Sequence, residues 1–467
     1  MHNSIRRSLG LLLVLILAFL PYKVHAQTST ATYSTTITYQ NIGSDTAHVT
    51  LLFYPEDSNS PISISRPDLA VGASATVSVG SLGSSTGFRG SAVVKADMQL
   101  AVTMTQIPNN SDIKSRPMAS GFIQGSSEIW FPFVLKETPG TIISVQNVDQ
   151  KPVNLKLTFY STNGTVTINK NNVAVGSAAY FNLDTMDELS VGAYDVYVKA
   201  TRTGSDDIGK IAGLQINQTS SAEGTYATES LSQAGKKIYM PAAMCYGVSG
   251  FSTSYYIYNT SLTESTTVTV LYNSGKKGTL TLSPNYGTWY HACMPSGTQS
   301  GYNGSAVITS NNTNIIAWGH IKNNGLIASF TGQTVGSNVL AVPYVVYSAS
   351  KYTNSTRQRT MIYIQNLGSS LAKGAVKVKY YDKNGNLVGT HSLGSMGNGA
   401  RIESNPTSIG SAGSEFGYYS DGTSGGSAVI EAPAGSNIMA VAWVHWNPSK
   451  DLYRGEAYNA IPIMLAP

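Results

Sequence analysis

Charge is the first thing this sequence is short of. Charged residues make up 12 % of its 467 positions, about half the quarter usual in a soluble protein. Only two cysteines are present, which excludes a disulfide-dense scaffold and a cysteine-based zinc cluster. No window of a dozen residues carries a convincing 3.6-residue apolar period, so helical bundles and coiled coils are excluded. Past residue 20 no apolar run approaches the ~20 residues of a membrane-spanning helix. Lys and Arg are scattered rather than gathered into a basic stripe, which argues against nucleic acid as a partner. The local excess at Lys373, Lys377, Lys379 and Lys383 mostly alternates with apolar residues, as on the wet face of a strand.

In place of charge stand 45 Gly and 28 Tyr, with abundant Ser, Thr and Asn. That mix disfavours helices and favours strands and turns. Apolar residues at 42 % are still enough to bury real cores.

The first 26 residues read as a secretory leader, with Arg6 and Arg7 ahead of the apolar run Leu9 to Leu20. Val24-His25-Ala26 then forms a small-x-small cleavage site. Export implies a secreted protein, extracellular, periplasmic or held at the cell surface. Cleavage removes Arg6, Arg7 and Lys23, leaving 27 basic against 25 acidic residues.

The chain repeats itself. Tyr39-Gln40-Asn41, Val145-Gln146-Asn147, Ile257-Tyr258-Asn259 and Ile364-Gln365-Asn366 recur at steps of 106, 112 and 107 residues. An apolar-Tyr pair follows each: Phe53-Tyr54, Phe159-Tyr160, Leu271-Tyr272 and Tyr380-Tyr381. Gly-Ser-Ala-Val comes next, at 90–93, 304–307 and 426–429, and has decayed to Gly192-Ala193-Tyr194-Asp195-Val196 in the second copy. Three markers in one order at one spacing define four repeats: 27–128, 129–237, 238–339 and 340–467. The polar stretches 109–127 and 220–235 read as linkers.

Each repeat reads as strands. Val153, Leu155, Leu157 and Phe159 alternate with polar residues, the period of a half-buried antiparallel strand. Asn163-Gly164 and Asn384-Gly385 supply the positive φ angles of tight hairpins. The repeated Asn is read as structural, its side chain bonding the backbone two residues on. Each repeat, at about 107 residues and seven or so strands, has the size of an immunoglobulin-like sandwich. The expected fold is therefore all-β: four tandem antiparallel β-sandwich modules in an elongated array.

At these residues the chain resembles tandem immunoglobulin-like modules of bacterial secreted or cell-surface proteins. The antibody-type Cys, Trp, Cys spacing is absent. The resemblance implies spacer, adhesive or structural roles and names no ligand.

Chemistry is hard to find. His48, His291, His320, His391 and His445 have no His or acidic residue two to four positions after them that would suggest a metal pair. His320 and His445 follow Trp318 and Trp443 at equivalent positions, which suggests shared packing. Gly83-Ser84-Ser85-Thr86-Gly87 and Gly422-Thr423-Ser424-Gly425-Gly426 match a nucleophile-elbow pattern without its strand-to-helix context. Asp382-Lys383-Asn384-Gly385-Asn386 lacks the Glu that closes a calcium loop and reads as a hairpin. No catalytic residue, metal ligand or cofactor is assigned.

One disulfide is expected, between Cys245 and Cys293 in the third repeat, because export places both in an oxidising compartment. Tyr255, Tyr256, Tyr286, Trp289, Tyr290 and Tyr302 cluster in the same repeat and could form a sugar-stacking face. The functional expectation is a non-enzymatic structural or adhesive surface protein, with carbohydrate binding as the alternative. Its partner would be a surface or matrix component, polysaccharide among the candidates. An apolar-Pro strand recurs at Phe131-Pro132, Met240-Pro241, Val342-Pro343 and Ile461-Pro462. It either closes the preceding sandwich or opens the next. The second case leaves a spare terminal strand and allows head-to-tail self-association.

Overall fold

Period-two alternation organises the structure from its first strand. The computed structural model describes residues 33–467 apart from 57, 83–87, 109–115, 219–224, 248–249, 295–298, 324–325, 450–451 and 464–467. The stretch read as a leader lies outside the described residues. In β1 (Tyr33–Asn41), Ile37 and Tyr39 enter a core while Thr36 and Thr38 face the other way.

The chain continues with β2 (Val49–Pro55), β3 (Ile62–Ser65), β4 (Ser74–Ser78), β5 (Gly90–Ala96), β6 (Leu100–Pro108) and β7 (Met118–Ser120). Two antiparallel sheets result, β4-β1-β6-β7 and β3-β2-β5, closed on Ile37, Tyr39, Leu51, Phe53 and Val77. The next stretch holds β8 (Glu128–Lys136), β9 (Thr141–Asn147), β10 (Val153–Ser161), β11 (Gly164–Val173), β12 (Ala178–Asn182), β13 (Gly192–Arg202), β14 (Ile211–Asn217) and β15 (Tyr226–Glu229). Its sheets are β12-β9-β14-β15 and β11-β10-β13-β8.

Then come β16 (Lys237–Cys245), β17 (Ser252–Asn259), β18 (Thr266–Tyr272), β19 (Lys277–Leu282), β20 (Gly287–His291), β21 (Tyr302–Ser310), β22 (Ile315–Asn323) and β23 (Leu326–Thr331). They order as β20-β17-β22-β23 and β16-β21-β18-β19. The last stretch has β24 (Val339–Val342), β25 (Tyr347–Ser348), β26 (Arg359–Asn366), β27 (Lys377–Tyr381), β28 (Leu387–Ser392), β29 (Arg401–Ser404), β30 (Glu415–Phe416), β31 (Ser427–Glu431), β32 (Ile438–Ser449), β33 (Leu452–Asn459) and β34 (Ile461–Pro462). Its sheets are β30-β25-β26-β32-β33, with β29 on β26, and β28-β27-β31-β24-β34. The protein is all-β, and each of the four stretches encloses one apolar core between two sheets.

The repeated Asn ends β1, β9, β17 and β26 and is fully buried each time. Asn366 Oδ1 accepts from Gly368 N at 3.0 Å, and its Nδ2 donates to Ser369 O at 2.8 Å and Met396 O at 3.0 Å. Asn41, Asn147 and Asn259 repeat the pattern. One amide thus closes the turn and ties it to the loop ahead of the sheet's edge strand.

The apolar-Pro strands open the sheet pair that follows them: β8 pairs β13, β16 pairs β21 and β24 pairs β31. The terminal copy, β34, lies on β24 of its own pair. Among the described residues β5 pairs only with β2 on that side. Its core-facing Ala92, Val94 and Ala96 are accordingly half-buried, whereas Val196, Val198 and Ala200 of β13 are fully buried.

The elongated array is not what forms. The stretches read as polar linkers carry β7 and β15, and Met118, Ala119, Tyr226 and Ala227 on them are buried. β7, β15, β23 and β33 pack against one another in a closed cycle. Ser120 N donates to Glu229 Oε1, Thr228 and Ser329 share a hydroxyl bond of 3.0 Å, Asn459 Nδ2 donates to Thr331 O at 2.9 Å, and Ser120 Oγ donates to Asn459 O. Short strands with small polar side chains approach closely enough for each to bond the next, so the first sheet pair meets the last.

The disulfide forms. Cys245 at the end of β16 is bonded to Cys293 just after β20, with Cα atoms 5.0 Å apart. It staples the two sheets of the third pair.

Two outcomes are expected. Asn366→Ala strips buried backbone groups of their partners and should cost about 2–4 kcal/mol, read as a lower urea midpoint with unchanged slope. Replacing both cysteines by serine should cost roughly 4 kcal/mol by loop entropy for a separation of 48 residues. An unchanged midpoint for either variant would contradict the role given to it.

Candidate functional site

The four seams between neighbouring sheet pairs are built from the same positions and filled differently. The serine of Gly-Ser-Ala-Val reaches from one pair to a glycine carbonyl of the next. Ser91 Oγ donates to Gly176 O at 2.6 Å, Ser305 Oγ to Gly399 O at 2.7 Å and Ser427 Oγ to Gly72 O at 3.3 Å. Gly72, Gly176 and Gly399 all have φ between 73 and 78°, a left-handed turn that presents the carbonyl outward. The second pair differs. Asp195 occupies the serine's place and accepts from Tyr256 OH at 3.0 Å and Phe133 N at 3.0 Å. Desolvation pushes the Asp195 carboxyl up to about 7.

Three residues before the repeated Asn lies a position that differs in size from seam to seam. It is Tyr256 in β17, packed with Phe133 and Trp289 at ring distances of 5.2 and 5.3 Å. It is Tyr363 in β26, packed 6.2 Å from Trp443. In β1 it is Thr38 and in β9 Ser144. Tyrosine fills two of the seams from this position, and at the seam of Ser144 Tyr180 reaches across to bond Gly90 O. Between the first and last sheet pairs, beside Thr38, a cavity of about 550 Å³ remains.

One wall of that cavity is the hydroxyl face of the first sheet, Thr36, Thr38, Thr76 and Thr105. Thr38 and Thr76 share a hydrogen bond of 2.8 Å. The opposite wall is Tyr344, Tyr418 and Trp446, and the exposed stretch 422–424 forms part of the rim. Gln358 accepts from Tyr344 OH at 2.8 Å. Arg357 is spent on Glu415 at 2.8 Å. The Arg116 guanidinium sits 4.5 Å over the Trp446 ring, and burial lowers its pKa. Glu456, which accepts the Arg116 backbone N–H, has its carboxyl pushed well up by desolvation. Hydroxyls, flat rings and a cation facing one space can bind a polar ligand.

The six aromatics expected to form a stacking face do not share one. Tyr255 and Tyr290 are buried in the third core, where Tyr255 OH donates to Ala242 O at 2.8 Å. Tyr302 packs against that core and donates to Ser305 O at 3.0 Å. Tyr256 and Trp289 belong to the seam with the second pair. Tyr286 alone is exposed. The period-two pattern sends alternate residues to opposite faces, and here both faces are covered, by a core and by a neighbouring sheet pair.

The histidines pack. His320 is 3 % exposed, with ring centroids 4.4 Å from Trp318 and 4.5 Å from Tyr226. His445 stacks on Trp443 at 4.2 Å and bonds Tyr352 OH at 2.6 Å. Desolvation drives the His445 pKa down to about 3. On the surface His48 bonds Asp97 at 2.6 Å, a partner 49 residues away that no local spacing reveals. Asp382 Oδ1 accepts from Asn384 N and Asn386 N, each at 2.9 Å, so that loop is the hairpin expected. Among the described residues no group of three His, Cys, Asp or Glu is placed to hold a metal ion.

Family models, curated proteins and solved structures yield no match to this chain. No helix among the described residues is long and apolar enough to cross a membrane.

The buried titratable groups give opposite pH slopes. Glu229, raised to about 7 by desolvation, favours the folded state while protonated. That stability is full below its ordinary value near 4.5 and is lost as pH rises towards 7. His445, lowered to about 3, contributes stability above its ordinary 6.5 that is lost as pH falls. Glu229→Gln should remove the loss on the neutral side, and His445→Phe the loss on the acid side. Thermal melts from pH 4 to 8 check both, and identical profiles for wild type and variants would contradict the assignment.

Proposed function

We propose that this chain is a secreted, non-enzymatic structural or adhesive surface protein built from immunoglobulin-like sandwiches, and that it holds its target in the cavity between the first and last sheet pairs. The carrying observation is that this seam has Thr38 where two others have tyrosine, which leaves room rimmed by an exposed loop. The lining favours carbohydrate as the target. Hydroxyls both donate and accept, which matches sugar hydroxyls, and the aromatic residues offer apolar faces beside them. Head-to-tail self-association would use the side of β5 that, among the described residues, carries no counterpart of β8, β16 and β24, an edge that supports strand addition.

Thr38→Tyr tests the reading. The equivalent positions accept tyrosine, so the variant should fold and fill the cavity. Binding to a panel of insoluble polysaccharides and to whole cells, measured by co-sedimentation, should fall at least about tenfold while the melting temperature holds or rises. Unchanged binding by the filled variant would remove the cavity from the function.

A further inference from the structure

We infer that the cavity between the first and last sheet pairs is a receptor for a carboxylate-bearing sugar, a uronic acid residue, with Arg116 as its anion anchor. The inference rests on reading this cavity as the recognition site and adds the charge of what enters it.

The other cation of the cavity is already used: Arg357 lies 2.8 Å from Glu415. Arg116 is different. Its guanidinium carbon lies 4.5 Å from the centre of the Trp446 ring, a contact that uses none of its N–H donors. Among the described residues no carboxylate lies within ion-pair distance of it. The nearby carboxyl, Glu456, receives the Arg116 backbone N–H rather than the guanidinium. Desolvation raises the Glu456 carboxyl, against the opposing pull of the Arg116 charge. The result is a partly buried guanidinium with no ion-pair partner among the described residues, lining a space of about 550 Å³.

A guanidinium in that state takes a carboxylate in bidentate fashion. The remainder of the space mixes hydroxyls, from Thr36, Thr38, Thr76 and Thr105 on one wall and Thr423 and Ser424 at the rim, with the apolar and aromatic groups of the other wall. Such a lining offers hydrogen bonds to a ring carrying several hydroxyls and apolar surface to its C–H faces. Carboxylate and polyol together define a uronic acid.

The test is isothermal titration of the secreted protein with glucuronate, glucose and acetate. Glucuronate should bind at least about tenfold more tightly than either of the others, the worth of one charge-assisted contact. Arg116→Met, which keeps an apolar stem over Trp446, should bring glucuronate down to the level of glucose. Arg116→Lys should retain part of the preference, and unchanged melts of both variants verify the fold. Glucose binding as tightly as glucuronate overturns the anionic assignment and leaves the carbohydrate reading standing. Acetate binding as tightly as glucuronate overturns the sugar part. Failure of all three to bind overturns both the inference and the reading beneath it.

Discussion

The bonds among four short strands are the constraint on which the architecture depends. Ser120, Glu229, Ser329, Thr331 and Asn459 each bond the strand of a neighbouring sheet pair, and the chain of contacts returns to its start. No single bond is strong, since a net hydrogen bond is worth about 1 kcal/mol. Their effect comes from closure: every sheet pair is fixed by two neighbours, so the seams have fixed widths. A seam of fixed width must be filled or left open by side-chain size alone.

The seams show how that rule is used. Between the second and third pairs Tyr256, Tyr258 and Trp318 are buried, and between the third and fourth Tyr363 and Trp443. Each large apolar side chain so buried contributes roughly 1.5–3 kcal/mol. The seam between the fourth and first pairs has a smaller apolar patch, Ala101, Ala341, Ile461 and Ile463, beside the hydroxyl-lined cavity. Apolar burial dominates at two seams, while hydrogen bonds carry a larger share at this one. The same scaffold position thus carries a side chain that packs sheet pairs together in one place and one that borders an open cavity in another.

Much of the fold was legible in the sequence because its signals are local. Alternation in β10, the Asn-Gly hairpins after β10 and β27 and the buried Asn that closes each turn all follow from neighbours a few residues apart, while the disulfide, between residues 48 apart, followed from there being only two cysteines to pair. The repeat markers located equivalent strands, although Leu271-Tyr272 reads one residue early: Tyr272, rather than Leu271, faces Ala306 as Phe53 faces Ala92. The closed cycle was not legible, because it depends on contacts such as Ser427 with Gly72, 355 residues apart. The aromatic cluster of the third repeat misled for a related reason. Composition cannot tell an exposed aromatic face from one covered by the next sheet pair. The cavity did leave a trace, since aligning the repeats on their Asn shows Thr38, Ser144, Tyr256 and Tyr363 in one column.

Closure also sets the order in which the molecule can be made. The first sheet pair is synthesised hundreds of residues before the segment that seats it, and domains generally fold as they emerge. Until β33 arrives, β7 lacks one flank and the threonine face of β1 stands in water. Threonines tolerate that wait, where the tyrosines of the later seams would present an adhesive apolar surface to every other nascent chain. The tyrosines occur only in repeats whose preceding neighbour already exists when they appear. The seam that closes last is the one whose waiting surface is polar, and the space it leaves is the cavity.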